Sequence, residues 1–343
     1  MRTILITGGA GFIGSNFAIY WRARHPEDRI LILDALTYAG NPDNLPEELK
    51  ADEDKFEFWY GNITNADLVV NLVKRSDLVV HFAAESHVAR SIYDNKVFFE
   101  TDVLGTQAVS NAIVKAGKSV ERFVHISTSE VYGTAVSDPM TEDHPLNPMS
   151  PYASAKTGAD RLVYSYIQTY DIPGVIVRPF NQYGPRQHLE KVIPRFITSA
   201  LKGEPLTVHG DGSAKRDWMF VDDTCVRIAL ALEAPLDTVK GEVINFGSGY
   251  DLDILSIAKL ILKETGRDES LITHLGDRPG QVARHISSTE KQKRVLDVPE
   301  PRPFIDGLRE TVAWYDKNRD WWKRLEWMKL VQIRALDGKL EYH

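Results

Sequence analysis

Thr3-Ile4-Leu5-Ile6-Thr7, running into Gly8-Gly9-Ala10-Gly11-Phe12-Ile13-Gly14, is the stretch that decides the fold. A short run that is apolar without strict alternation suits a strand covered on both faces, and the glycines close it before a helically spaced segment begins. The same texture returns at residues 29–34 (RILILD), 78–82 (LVVHF), 123–127 (FVHIS) and 174–178 (GVIVR), with helical spacing between the runs. The last of them follows a segment from Tyr152 to Tyr170 that reads as one more crossover helix. Strands alternating with helices predict a doubly wound parallel sheet, complete near Arg178. Beyond Pro179, Pro185, Pro194, Gly203, Pro205, Gly210 and Gly212 break the chain into shorter elements. A smaller mixed α/β domain is therefore expected over 179–343, some of its segments returning to the first domain at 1–178.

Gly8, Gly11 and Gly14 stand three apart behind the first strand. Glycine there permits a tight turn and close approach of backbone to a pyrophosphate, while the helix opening at Phe12 and Ile13 offers free N–H groups and the positive end of its dipole. Turns need glycine in any case, so the loop alone says little. Asp34 adds the context: it ends the second run, 20 positions beyond Gly14. A carboxylate there accepts both ribose hydroxyls of an adenosine and repels a 2′-phosphate. The pattern predicts a Rossmann-type fold that takes NAD rather than NADP. Ala83 and Ala84 follow the LVVHF run and let a flat ligand pass close to backbone, and Asn62, after FEFWY at 56–60, is placed to meet an adenine edge. Both are equally compatible with ordinary packing.

Tyr152 and Lys156 lie four apart on the expected helix, hence on one face. A lysine cation beside a phenol, with the positive charge of an oxidised nicotinamide nearby, stabilises phenolate and is expected to pull the tyrosine from about 10 towards neutrality, which makes a general base for alcohol oxidation. On an ordinary helix the same pair would be surface decoration; the dinucleotide fold turns the reading round. Thr128 and Glu130, in Ser127-Thr128-Ser129-Glu130, end the fourth long run, where open α/β sheets bind ligands. Thr128 is expected to share a hydrogen bond with Tyr152. Glu130 supplies a carboxylate that a simple dehydrogenase does not need, although a helix-start acid is an equally good account of it taken alone.

The chain has 343 residues, the size of roughly two domains, with 41 Lys+Arg against 48 Asp+Glu and a net charge of -7. That field disfavours a sequence-independent grip on nucleic acid, so phosphates must be met by local cations. The single cysteine, Cys225, excludes an intrachain disulfide and reads as a small buried hydrophobe. Apolar runs fall short of the ~18 residues of a membrane span, and a soluble, cytoplasmic protein without a metal site is expected. Trp314, Trp321, Trp322 and Trp327 fall on a helix-like segment that reads as a docking face.

TGGAGFIG at Thr7–Gly14, the Tyr152/Lys156 pair and STSEVYG at 127–133 resemble the extended short-chain dehydrogenase/reductase family acting on nucleotide sugars. LTYAGN (36–41), HFAAESHV (81–88), EKVIP (190–194), HGDGSAKRDW (209–218) and DRPGQ (277–281) are similar to its dTDP-glucose 4,6-dehydratase branch. So is RETVAWYDKNRDWW (309–322), and the likeness covers nearly the whole chain. The resemblance implies a nucleotide-sugar 4,6-dehydratase: C4 oxidation, loss of water across C5 and C6, and return of the hydride to C6, with NAD regenerated. Thr128, Glu130, Tyr152 and Lys156 would be catalytic. Leu36, Thr37, Ile63 and Thr101 would join the NAD site. Ser86, Asn181, Lys191, Arg216 and Arg278 would hold the nucleotide-diphosphate sugar, with Arg186 and Arg195 as weaker candidates. A homodimer pairing helices that include the Tyr152 helix is also implied. Ser129, Ala89 and Gln182 depart from the branch, which usually carries aspartate at the first two and asparagine at the third. Without that aspartate, Glu130 would serve as base and then acid. UDP-glucuronate decarboxylases and 4-epimerases share most of these motifs and remain alternatives. A catalytically silent NAD-binding scaffold would usually have lost the tyrosine or the lysine.

Overall fold

The computed structural model describes residues 1–276, 284–330, 332–334 and 340–342. Six strands come from the chain up to Pro179: β1 (Thr3–Thr7), β2 (Arg29–Asp34), β3 (Phe56–Tyr60), β4 (Leu78–His81), β5 (Arg122–Ile126) and β6 (Gly174–Pro179). A seventh, Val243–Phe246, pairs with β6, and the parallel sheet runs Val243–Phe246, β6, β5, β4, β1, β2, β3. The expectation that the sheet is complete near Arg178 is corrected here. Val243–Phe246 is only four residues long and lies among punctuating glycines, too short to stand out by texture.

Alternate side chains of each strand feed two separate layers. Ile4, Ile6, Ile30, Ile32, Val80 and Val124 face α1 (Phe12–Arg24) and the helix Val221–Glu233, meeting Phe17, Trp21, Ile228 and the buried Cys225. Leu5, Leu31, Leu33, Val79, Phe123 and Ile176 face the other way, onto Val69, Leu72, Val109, Ile113, Val163 and Ile167. Each such burial is worth about 1.5–3 kcal/mol, which is why these strands read as continuous apolar runs.

Past β6 the chain builds a small mixed sheet. Lys215–Phe220 is flanked by Asp251–Asp253 antiparallel and Arg284–His285 parallel, and also pairs in parallel with Asn181–Tyr183. A core of its own gathers Phe196, Phe220, Ile257, Ile261, Leu308, Tyr315, Trp321 and Trp322. The tryptophans thus pack inward rather than forming a docking face. Trp321 and Trp322 are buried, Trp314 packs edge-on to Trp321 at 5.0 Å between centroids, and Trp327 alone of the four is widely exposed.

Candidate active site

The sheet reverses direction of winding between β1 and β4, so a crevice opens at the carboxyl ends of these two strands. Gly8 stands there with φ +70°, and a Cβ on it would come within 2.7 Å of the Ala83 backbone nitrogen. A Cβ on Gly14 would lie 2.3 Å from the Gly8 carbonyl oxygen. Gly11 caps α1 with no side-chain hydrogen bond, and the first turn holds no acid, so the N–H groups around Phe12 and Ile13 have no side-chain cap. Gly14→Ala should therefore destabilise the protein, by roughly 1–3 kcal/mol. Gly276→Ala, whose Cβ meets nothing within 4 Å, should leave the melting temperature unchanged. Equal melting of the two variants would contradict this.

Asp34 ends β2 beside that turn. Its Oδ2 accepts the Ala10 N–H at 2.9 Å and its Oδ1 the Leu36 N–H at 2.8 Å, with Leu36 at φ 49°. Burial raises its pKa, and the two N–H donors oppose the rise. Each oxygen keeps a second lone pair for a ribose hydroxyl. Thr37 donates its hydroxyl to Glu85. The Asn62 Oδ1 is occupied by the Thr64 N–H and hydroxyl, both at 2.9 Å, which leaves its amide nitrogen as the group able to meet a base. Ile63 packs against Gly105, where a Cβ would come within 2.4 Å of its Cδ1. Ala83 and Ala84 are half-buried behind β4, and Thr101 is half-buried in a π-helical turn, Phe99–Gly105.

Tyr152 and Lys156 project from the helix Pro151–Tyr170. Ser150 caps its start by accepting the Ala153 N–H at 3.1 Å, Pro151 pre-sets the first turn, and left-handed Asp171 ends it. The Thr128 hydroxyl shares a hydrogen bond with the Tyr152 phenol. Thr128 also accepts the Glu130 N–H at 3.2 Å, opening a 3₁₀ turn over Ser129–Tyr132. The Glu130 carboxylate bears electrostatically on Tyr152, so phenol and carboxylate share one site. The chain's own groups do not by themselves acidify the tyrosine. Burial pushes Tyr152 up, Asp102 and Glu130 add to the rise, and only the Thr128 hydrogen bond opposes it. Lys156 is turned elsewhere: its Nζ donates to the Ile126 carbonyl at 2.8 Å, and its charge is engaged by Asp102 and Asp160.

Asp102 went unnoticed in the sequence, as one acid on a polar helical face. It is buried; Oδ1 accepts the Glu85 N–H at 2.8 Å and Oδ2 has no partner. Burial pushes it up to about 7, against the opposing Lys156 charge. A carboxyl raised above its unfolded value of about 3.9 binds more protons folded than unfolded. Folded stability from this group thus grows as pH falls from about 7 towards 4, and is lost on the way back up. The melting-temperature gain of Asp102→Asn over the wild type should be larger near pH 8 than near pH 5. A gain independent of pH would assign Asp102 no such cost.

The candidates for a phosphorylated ligand are spread over the crevice and the smaller sheet. Ser86 accepts Lys191 Nζ on its carbonyl at 3.2 Å, and its hydroxyl meets the Tyr38 hydroxyl at 3.2 Å. Asn181 starts the strand that pairs with Lys215–Phe220, on which Arg216 donates to the Lys215 carbonyl at 2.8 Å. Arg278 lies outside the described residues. Arg186 bonds Asn16 Oδ1 at 3.1 Å and Arg195 the Thr207 carbonyl at 3.3 Å. Ala89 and Ser129 are buried, and Gln182 is engaged with the Thr224 hydroxyl and the Phe180 carbonyl. Sequence reasoning also missed His285, buried with its Nε2 on the Gly133 carbonyl at 2.6 Å and feeling the charge of Glu130. Among the described residues no cluster of His, Cys, Asp or Glu is suited to a metal ion, and no helix is long and apolar enough to cross a membrane.

A family model described as GDP-mannose 4,6 dehydratase matches residues 5–311. The chain belongs to this family. Among curated relatives of this dehydratase-family chain, the low-salt glycan biosynthesis protein Agl12 of Haloferax volcanii is 45% identical over 91% of this chain and 98% of its own. The dTDP-glucose 4,6-dehydratase of an Actinoplanes species is 40% identical over 93% and 99%. Among solved structures, a dTDP-glucose 4,6-dehydratase from Streptomyces venezuelae with NAD bound matches at a TM-score of 0.88. It shares 42% identity over 95% of this chain and 100% of that one.

Proposed function

We propose that this member of the family is an NAD-dependent nucleotide-sugar 4,6-dehydratase, with dTDP-glucose the first substrate to try. The observation that carries the reading is the meeting of Thr128, Tyr152 and Glu130 at the carboxyl end of the sheet, with Lys156 one helical turn behind. The cradle suits a dinucleotide: close-packed Gly8 and Gly14, an α1 start without a side-chain cap and Asp34 beside it are what a pyrophosphate and a ribose diol require. NAD, when bound, supplies first the oxidising and then the reducing equivalent of a cycle that is redox-neutral overall.

The chain's own groups handle the protons. Tyr152 takes the C4 hydroxyl proton, and Thr128, already bonded to that phenol, orients it. Lys156 holds the register of this end of the helix through the Ile126 carbonyl. The C4 ketone acidifies the C5 hydrogen. Glu130 removes that proton and hands it to the C6 hydroxyl, which leaves as water, and C5 regains a proton from solvent through Glu130 as C6 is reduced; position 129, beside it, is a serine and supplies no acid of its own. Such positioned acid–base groups contribute about 10²–10⁴-fold each.

Mixing the purified protein with dTDP-glucose, UDP-glucose, CDP-glucose, GDP-mannose and UDP-glucuronate and following product mass tests the reading. Loss of one water supports it. Loss of carbon dioxide would replace it with decarboxylation, and unchanged mass with altered stereochemistry would replace it with epimerisation. A homodimer belongs to the same proposal. Ile92, Val97, Phe99, Leu104 and Tyr164 are exposed apolar side chains on the helices and π turn around Tyr152, and that patch suits pairing with a second copy.

A further inference from the structure

The 3₁₀ turn that carries Glu130 is held at its two ends by different parts of the chain. At its start the Thr128 hydroxyl accepts the Glu130 N–H at 3.2 Å. At its end the Gly133 N–H donates back to the Glu130 carbonyl at 3.2 Å, with Gly133 at φ +67°. The Gly133 carbonyl is met from outside the turn, by His285 Nε2 at 2.6 Å. A carbonyl only accepts, so this nitrogen carries the imidazole proton and Nδ1 is left as a bare lone pair. His285 is 0% exposed, and its Nδ1 has no hydrogen-bond partner among the described residues. The one hydrogen bond that this buried ring makes among those residues is spent on the turn of the C5 base.

His285 is itself fixed by the smaller sheet. It ends the short strand Arg284–His285, which lies parallel to Lys215 and Arg216. Just before it, Arg284 pairs with Asp138 and Asp251; just after it, the Ser287 N–H and hydroxyl both donate to buried Asp217. Its ring packs edge-on to Phe180 at 6.4 Å between centroids. The charged groups that bear on it are Glu130, Arg216 and His144. Burial lowers the imidazole below its ordinary value; Glu130 and the Gly133 bond oppose this, and Arg216 and His144 add to it. A donor that stays uncharged at neutral pH grips the Gly133 carbonyl without setting beside Glu130 a cation that would weaken it as a base.

We propose that His285 is a positioning residue for Glu130: by holding the Gly133 carbonyl it sets where the carboxylate stands against the C5 hydrogen, and it ties that placement to the smaller sheet. This rests on the dehydratase reading above. Tyr152 and Thr128 do not depend on the far end of the turn, so the two halves of the reaction should respond differently. His285→Phe keeps a ring and deletes the donor. In stopped flow with substrate and bound NAD, His285→Phe should form reduced nicotinamide within about twofold of the wild-type rate and accumulate more of it. Water loss, followed by product mass, and deuterium uptake at C5 in heavy water should both fall about ten- to a hundredfold, the cost of an ångström-scale displacement. His285→Gln, whose amide can return an N–H to the Gly133 carbonyl, should recover most of that loss. Equal slowing of both halves by His285→Phe would reduce His285 to a structural role and overturn the proposal. So would unchanged dehydration by His285→Phe, or a His285→Gln enzyme as slow as His285→Phe. Should His285→Phe fail to fold, His285→Asn, one methylene shorter than the glutamine, takes its place as the variant that does not reach Gly133. A wild type that removes water from none of the five sugar nucleotides above would sink the dehydratase reading itself, and this role for His285 with it.

Discussion

Tyr152→Phe should lower turnover of the nucleotide sugar by about 10²–10⁴-fold while the protein keeps its melting temperature and its affinity for the free nucleoside diphosphate. Phenylalanine preserves the ring, which packs edge-on to Phe98 at 6.2 Å between centroids, and deletes only the hydroxyl bonded to Thr128. What is lost is the one group positioned to take the C4 hydroxyl proton. Because burial raises the phenol above its ordinary value, the wild-type rate should climb with pH through the neutral range, and the residual rate of the variant should not. The check is steady-state turnover across pH with melting curves in parallel. Retention of activity within tenfold would remove Tyr152 from the proton path.

Glu130→Gln is expected to be as damaging to overall turnover, about 10²–10⁴-fold, but at a different step. Glutamine keeps the shape and leaves the backbone N–H that donates to Thr128, so the 3₁₀ turn survives. Oxidation at C4 needs Tyr152 and Thr128 alone. The variant should therefore still develop the absorbance of reduced nicotinamide on mixing with substrate, and the signal should persist because water is not lost. In heavy water the wild type should place deuterium at C5 and the variant should not. A variant that dehydrates at the wild-type rate would leave Glu130 as the turn-opening acid that its place in the sequence equally suggests.

Sheet, crossovers and phosphate turn were legible because each is written in local texture. β1, β2, β4, β5 and β6 are buried on both faces and so read as nearly unbroken apolar runs, whereas the edge strand β3 exposes Trp59 and Tyr60; Gly8 and Gly14 face backbone that no Cβ clears. Val243–Phe246 escaped because four residues between turns carry too little pattern. Tyr152 and Lys156 share a buried helix face, as their spacing suggests, yet the lysine does not acidify the phenol directly. Spacing shows that a lysine is near, not that its ammonium is spent on the Ile126 carbonyl and on two buried aspartates. Asp102 was invisible for a related reason: a lone acid in a polar stretch looks solvated, and its enclosure comes from elements elsewhere along the chain, at Glu85 and Lys156.

The return of Val243–Phe246 to the edge of the large sheet has a mechanical meaning. The polypeptide leaves the dinucleotide-type layer after β6 to lay down Asn181–Tyr183 and Lys215–Phe220, and returns through the helix Val221–Glu233 and Val243–Phe246; it leaves again for Asp251–Asp253 and Arg284–His285 before Leu296 and Val298 rejoin the large core. A module sewn on by several crossings is held more firmly than one hung on a single cord. Thermal melting should therefore take both cores apart in a single step.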